Sequence, residues 1–178
     1  PCRCFAIGRT ASKACNKPPP PIAAAPMAIA GTSGANAAAV PVVVDADLAL
    51  VTSIGVDHIE YLGNTRESVG FEKAGIFRQG KPALCGDLDP PQPLLDKAKE
   101  LACPLLLRGR DFNLTIADTV WHWQGRDAQG QTLELRDLPL LDLPMENAAL
   151  ALQAYALTQW PWEPQTVTEA LLATKVGK

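Results

Sequence analysis

An Asp-His pair and a Glu-Lys pair carry the residue types that could do chemistry in this chain. Asp57 and His58 directly follow a mostly apolar run, and Glu72 and Lys73 follow about fifteen positions later. A neutral imidazole is a common ligand of divalent metals, although Mg²⁺ usually prefers oxygen. The residues alone leave another reading open, in which Asp57 caps a turn and His58 is a partly buried hydrogen-bonding residue. The pattern therefore indicates a candidate metal site.

The apolar pattern predicts a strand before the Asp-His pair and a helix that contains the Glu-Lys pair. "VVVDADLALVTSI", residues 42–54, is β-branched and mostly apolar on both faces, which is typical of a strand buried in a parallel sheet. Ligands bind beyond the carboxyl ends of such strands, where the Asp-His pair falls. In "TRESVGFEKAGIF", Thr65 is a candidate N-cap, and Ser68 stands where a Glu would complete a capping box.

The rest of the chain alternates between predicted strands and helices. The predicted elements are a strand in "KPALCG", a helix in "PPQPLLDKAKELAC", a strand in "PLLLRG", an antiparallel hairpin or meander over 112–140 with its turn at "DAQGQ", and helices in "MENAALALQAYALTQ" and "PQTVTEALLATKV". The last helix is predicted to begin with Thr166 or Thr168 near its cap. The four tryptophans are predicted to pack in the core or the hairpin, and Cys85 and Cys103 to be small buried groups. The order predicts an α/β fold with a mostly parallel sheet flanked by helices and an antiparallel hairpin insertion.

Composition excludes several classes of function. The chain has 178 residues and a net charge of −3, and no block of Lys and Arg suggests a nucleic-acid partner. No apolar run reaches the roughly 18 residues of a membrane span, and no signal-peptide core is visible. Five cysteines without a C-x-x-C pair suggest reduced thiols in a cytoplasmic protein.

The amino-acid composition of the chain changes near Pro41. Residues 1–41 are rich in Ala and Pro, with "KPPPPIAAAP" at their centre, and we expect them to be disordered or foreign to the fold. Residues 42–178 have the pattern of a globular domain.

The string "TSIGVDHIEYLG…RESVGFEKAGIFR…KP" resembles the folylpolyglutamate synthase/dihydrofolate synthase family of Mur-ligase-like, ATP-dependent amide ligases. The resemblance extends to "LPMENAALALQA" and covers roughly residues 42–176. The matching residues of the first string are Ser53, Ile54, Asp57, His58, Leu62, Gly63, Arg66, Glu67, Ser68, Gly70, Glu72, Lys73, Ala74, Gly75, Ile76, Phe77, Arg78, Lys81 and Pro82.

The resemblance implies a role for three residues. His58 would bind Mg²⁺, Lys73 would be modified to a carbamate, and Asn147 would contact ATP. A carbamate gives Mg²⁺ an anionic oxygen ligand, and a carboxamide offers an adenine edge both a donor and an acceptor. The alternatives are that Lys73 is a surface lysine paired with Glu72 and that Asn147 is a helix N-cap.

The resemblance further implies a reaction and its partners. ATP would phosphorylate the carboxylate of dihydropteroate, or of a folate that already carries glutamate, and the amine of L-glutamate would attack the acyl phosphate. Mg²⁺ would neutralise charge on the transferring phosphoryl group. The resemblance also implies a monomeric enzyme in the cytoplasm that binds neither nucleic acid nor a membrane.

The chain departs from the family pattern before the strand. "AGTSGANAA", residues 30–38, has Ala35 where a phosphate-binding loop would have its lysine. The metal-binding glutamate and the pterin-contacting aspartate expected before Val44 are absent, as is the family's C-terminal domain. We therefore expect an internal piece of the central domain, inactive by itself. The alternatives are a non-catalytic α/β module that binds a nucleotide or a protein, and another Mur-type amide ligase.

Overall fold

The computed structural model describes residues 4–7, 28–29, 46–55, 65–158 and 160–174. These residues divide into two compact units, the first ending at Leu106 and the second beginning at Leu107. The strands are β1 (Cys4–Ile7), β2 (Ala28–Ile29), β3 (Leu48–Val51), β4 (Ala83–Cys85), β5 (Leu105–Leu107), β6 (Asn113–Ala117), β7 (Val120–Arg126) and β8 (Thr132–Pro139). The helices are α1 (Arg66–Ala74), α2 (Gln92–Glu100), α3 (Met145–Ala156) and α4 (Pro164–Ala173).

The first unit contains a five-stranded sheet in the order β2-β1-β3-β4-β5. β3 and β4 pair in parallel, with Val51 opposite Cys85, and every residue of both strands is buried. Because α1 connects β3 to β4 and α2 connects β4 to β5, the predicted alternation of strands and helices is confirmed. The prediction that Cys85 and Cys103 are buried is also confirmed.

Two strands of this sheet come from the Ala- and Pro-rich residues 1–41. β1 pairs antiparallel with β3, and β2 pairs antiparallel with β1. The boundary at Pro41, and the disorder expected before it, stay predictions.

Helix α1 begins as the sequence predicts. The N–H of Ser68 donates to Oγ1 of Thr65 at 3.2 Å, so Thr65 is the N-cap. α1 packs on α2 so closely that a Cβ at Gly70 would lie 2.8 Å from Cγ of Pro91. Gly70 therefore permits the contact between the two helices.

The second unit is a three-stranded antiparallel meander covered by two helices. β7 is the central strand, and a turn from Asp127 to Gln131 joins it to β8. Gly130 adopts a φ of +82° in this turn, a conformation that glycine tolerates without steric cost. Trp121 and Trp123 of β7 are fully buried against α3 and α4. The predicted meander is confirmed.

Two further details of the second unit are the start of α4 and the unequal burial of its tryptophans. α4 begins after Glu163, so Thr166 lies in its first turn, near the cap as predicted, although no side chain caps the helix. Pro164 takes the first helical position, where its fixed φ suits a helix and its missing N–H costs nothing. Trp162 packs against the core at 5.3 Å from the Trp123 ring, whereas Trp160 is 39% exposed and contacts Tyr155. No helix in the described part of the chain is long and apolar enough to cross a membrane.

Candidate functional site

The carboxyl ends of β3 and β4 lie side by side and lead into the candidate site. The N–H of Gly86 donates to the carbonyl oxygen of Val51 at 2.8 Å, which extends the parallel pairing beyond β4. Thr52 and Ile54 stay buried after β3. His58, the predicted metal ligand, lies outside the described residues, as does Asp57.

A buried carboxylate connects the two strand ends with the start of α1. Oδ2 of Asp87 accepts a hydrogen bond from the N–H of Ile54 at 2.7 Å. Oδ1 accepts from Nη2 of Arg66 at 3.1 Å and from the N–H of Asp89 at 2.9 Å. The same guanidinium nitrogen donates to the carbonyl oxygen of Asp89 at 2.7 Å. Both oxygens of Asp87 are therefore satisfied within the first unit.

Sequence reasoning did not single out Asp87. A signal was available, because Asp87 follows a short buried strand just as Asp57 follows another. A residue that follows a parallel strand is expected at the carboxyl edge of the sheet, which is where ligands bind in such folds. The family-like sequence motif ends at Pro82, five residues before Asp87, and so does not include it.

Lys73 lies in the last turn of α1 and is half-buried, whereas its neighbour Glu72 is exposed. It comes seven residues after Arg66, which is about two helical turns, so the two residues share a face of the helix. The structure thus places Lys73 on the helix that the Asp87 network holds at its other end.

Asn147 belongs to the second unit and is exposed in the first turn of α3. The N-cap of α3 is Pro144, and the N–H of Asn147 donates to the Pro144 carbonyl oxygen at 3.0 Å. The alternative that Asn147 is itself the N-cap is therefore wrong. Its role toward ATP stays a prediction.

A protein metal site needs several carboxylate, histidine or cysteine side chains close together. Within residues 46–55, 65–158 and 160–174, no three His, Cys, Asp or Glu side chains could hold one metal ion. Asp87, which lies beside the strand ends, has both carboxylate oxygens occupied by hydrogen bonds. The described side chains therefore do not by themselves fit a metal.

A polar cavity of about 220 Å³ lies in the second unit, at the end of β7. Arg110, Asn113, Gln124, Arg126 and Thr132 contribute to its lining, which contains neither Lys73 nor Asn147. The cavity is therefore separate from every residue that the sequence motifs indicate.

No family model matches the chain. Dihydrofolate synthase/folylpolyglutamate synthase of Haemophilus influenzae is 37% identical over 129 residues, which are 72% of this chain and 28% of that protein.

Two solved structures are similar to the chain in both sequence and fold. E. coli FolC in complex with DHPP and ADP is 40% identical with a TM-score of 0.65, over 73% of this chain and 30% of that one. The bifunctional folylpolyglutamate synthase/dihydrofolate synthase from Yersinia pestis, complexed with AMPPNP and Mn ion, is 39% identical with a TM-score of 0.66. That match covers 75% of this chain and 31% of the other.

The chain spans less than a third of the length of each of these proteins. The likeness confirms the predicted α/β fold of the Mur-ligase type, with a parallel sheet flanked by helices and an antiparallel sheet. Over the matched segment, the chain belongs to the dihydrofolate synthase/folylpolyglutamate synthase family.

Proposed function

We propose that this chain forms part of the central ATP-binding domain of a ligase that joins L-glutamate to dihydropteroate, or to a folate that already carries glutamate. The observation that carries the proposal is the motif "RESVGFEKAGIFR", which builds α1 beside the carboxyl ends of the parallel strands. ADP, AMPPNP and DHPP occur in the solved relatives, which supports a nucleotide and a pterin-type substrate.

The proposed reaction proceeds in two steps. The substrate carboxylate attacks the γ-phosphorus of ATP, which gives an acyl phosphate and ADP. The amine of glutamate then attacks the acyl carbon, and the tetrahedral intermediate expels phosphate as the amide forms. We further propose that the enzyme works as a monomer in the cytoplasm on small molecules, without a nucleic-acid or membrane partner.

His58 and Lys73 are the proposed metal-site residues, with Lys73 acting through a carbamate. Mn occurs in the Yersinia pestis relative, and Mg²⁺ is our proposal for this chain. Such an ion would neutralise charge on the transferring phosphoryl group. Lys73 is half-buried in the last turn of α1, and a carbamate there would offer the metal an anionic oxygen ligand.

Asn147 is the proposed contact of the adenine ring. Its carboxamide is exposed in the first turn of α3 and is not the cap of that helix. A carboxamide offers one acceptor and two donor hydrogens, which matches the alternating edge of adenine.

A chimera tests the proposal. The matched segment of the Haemophilus influenzae relative is replaced by that of this chain, and ADP release is measured with dihydropteroate and L-glutamate. We expect release that requires both substrates. Release independent of glutamate would reject the proposal, and no release in a folded chimera would reject it and favour a non-catalytic module.

Two lysine variants make the test specific. Lys73→Ala should abolish turnover, with partial rescue by a short carboxylic acid that replaces the carbamate. Lys81→Ala is the matched control, because Lys81 forms an ion pair with Asp47 at 3.0 Å and has no proposed role in the reaction. Equal activity of both variants would reject the assignment of Lys73.

A further inference from the structure

The polar cavity at the end of β7 lies on the face of the meander opposite α3. Burial alternates at this end of the strand, because Trp123 and Gly125 are buried whereas Gln124 and Arg126 are exposed. Trp123 packs in the core with α3. Since successive side chains of a strand point to opposite faces, Gln124 and Arg126 point away from that core. Both residues line the cavity.

Arg126 has a fixed backbone and an unpaired side chain. Gln153, which is 0% exposed, binds both the N–H and the carbonyl oxygen of Arg126. Within residues 65–158 and 160–174, the guanidinium of Arg126 has no hydrogen-bond acceptor and no ion-pair partner. A guanidinium presents five N–H donors in a planar fork that matches the oxygens of a carboxylate or a phosphate. Arg126 is therefore placed to bind an anion.

The turn between β5 and β6 forms another wall of the cavity, and a largely buried carboxylate holds it in shape. Oδ2 of Asp111 accepts from the N–H of Leu107 at 2.9 Å and from Nε of Arg110 at 2.8 Å. Nη2 of Arg110 lies 2.7 Å from the same oxygen. Because Arg110 neutralises Asp111, this carboxylate does not repel an anion in the cavity.

Positive charge and hydrogen-bond donors dominate the lining of the cavity, which contains two arginines and one aspartate. Oδ1 of Asn113 accepts from the next backbone N–H at 2.9 Å, so its amide hydrogens remain to donate. The hydroxyl of Thr132 is a further donor. Glu134, which accepts from Gln124, forms an ion pair with Arg136 at 2.8 Å. The neighbouring negative charge is therefore compensated.

We propose that this cavity binds a small oxyanion, a free molecule that carries a phosphate or carboxylate group, with Arg126 as its main ligand. The amide of Asn113 and the hydroxyl of Thr132 donate to the remaining oxygens. The cavity volume is about 220 Å³. At about 30 Å³ for each water molecule, this volume holds a small anion together with part of its hydration shell. The site is independent of the proposed ligase reaction, since neither Lys73 nor Asn147 lines it.

Inorganic phosphate and glutarate are the two probes, and each is titrated into the full 178-residue chain at constant ionic strength set with chloride. Backbone amide chemical shifts measure binding. We expect saturable changes at residues 109–113 and 124–126, with a Kd of about 1 mM or tighter for at least one probe. Saturation by phosphate alone assigns the site to a phosphate group, and saturation by glutarate alone assigns it to a carboxylate. Saturation by both assigns it to oxyanions in general.

The variant Arg126→Gln removes the charge and leaves the backbone contacts with Gln153 in place. Its Kd should rise at least about tenfold, as for the loss of a hydrogen bond to a charged group. Lys99→Gln is the matched control, since it removes one positive charge from an exposed position on α2 in the first unit. That variant should change the Kd by less than about twofold. The fluorescence of buried Trp123 shows whether each variant is folded.

Thr132→Ala is a second, milder variant, which removes only a hydroxyl and should raise the Kd about threefold. Absence of saturable shifts around the cavity with either probe would overturn the proposal. Equal weakening by Arg126→Gln and Lys99→Gln would overturn it as well, because it would show a general attraction of anions to the chain. None of these measurements uses ligase activity, so the site and the proposed function fail separately.

Discussion

Gln153 of α3 forms two hydrogen bonds with the backbone of Arg126 at the end of β7. The N–H of Arg126 donates to Oε1 of Gln153 at 3.0 Å, and Nε2 of Gln153 donates to the Arg126 carbonyl oxygen at 2.6 Å. Gln153 is 0% exposed, so a buried amide satisfies both backbone groups of this residue. The pair fastens the helix to the central strand of the meander.

Replacing Gln153 by Ala should destabilise the second unit by about 2–4 kcal/mol, because two buried backbone groups lose their partners and a cavity forms. Urea denaturation followed by tryptophan fluorescence measures the change. Gln165→Ala is the matched control, since its amide donates to Glu169 on the exposed face of α4. That variant should change stability by less than about 0.5 kcal/mol, and equal losses would contradict the role of the buried pair.

Gly125 lies against the side-chain amide of Gln153, so this position should not tolerate a larger residue. A Cβ at this position would collide with Oε1 of Gln153 and with the ring of Trp123. Gly125→Ala should therefore cost about 1–3 kcal/mol, the usual range for overpacking.

A double variant shows whether this clash is the cause. Gln153→Ala removes one of the two clashing groups, so the two substitutions together should cost less than the sum of their separate effects. A coupling of at least about 0.5 kcal/mol is expected between residues in contact. Strict additivity would show that Gly125 is required for another reason.

Thr65 should contribute more to stability than Thr166, although both have the residue type of a helix cap. Thr65 accepts a hydrogen bond from the N–H of Ser68, whereas α4 begins after Glu163 and has no side-chain cap bond. Thr65→Ala should cost about 1 kcal/mol and Thr65→Ser little, while Thr166→Ala should be nearly neutral. Thermal unfolding of the three variants measures the difference, and the reverse order would contradict the assignment of the caps.

Local signals explain why much of the fold was predictable. The cap at Thr65 lies within three residues of its partner, and the turn before β8 needs a glycine at Gly130. Thr166 and Thr168 indicated only the approximate start of α4, because Pro164 takes the first helical position ahead of both residues.

Contacts between residues far apart in the chain could not be predicted from the sequence. The bond from Ile54 to Asp87 joins residues 33 positions apart, and the bonds between Arg126 and Gln153 join residues 27 apart. Such pairs depend on how elements pack, which no local pattern encodes. Lys73 was identified through its motif, but the packing of its helix through Asp87 appeared only in three dimensions.

Stability should fall at alkaline pH through Cys103. Burial raises the pKa of its thiol, and Sγ donates to the carbonyl oxygen of Lys81 at 2.9 Å, which only the protonated form can do. The folded state therefore binds this proton more tightly than the unfolded chain, whose thiol pKa is about 8.5. The resulting stabilisation is complete below that value and is lost as pH rises through the folded pKa.

The comparison of wild type with Cys103→Ala isolates this effect. The difference in unfolding free energy between the two proteins should be constant near neutral pH and should shrink above about pH 8.5. Urea denaturation at a series of pH values, under reducing conditions, measures it. A difference that does not depend on pH would show that the thiol proton does not contribute.

The chain by itself should bind ATP only weakly. A phosphate-binding loop grips nucleotide phosphates with successive backbone N–H groups and a lysine, and Ala35 stands at that lysine position in "AGTSGANAA". Asn147 could still contact the adenine, but one carboxamide does not replace the phosphate contacts. Isothermal titration calorimetry should give a Kd weaker than about 100 μM, which corresponds to less than about 5.5 kcal/mol of binding free energy. Asn147→Ala should weaken any residual binding, whereas Gln165→Ala should not. Micromolar affinity in this chain would mean that another part of it holds the phosphates, and would favour an independent nucleotide-binding module over a segment of the ligase.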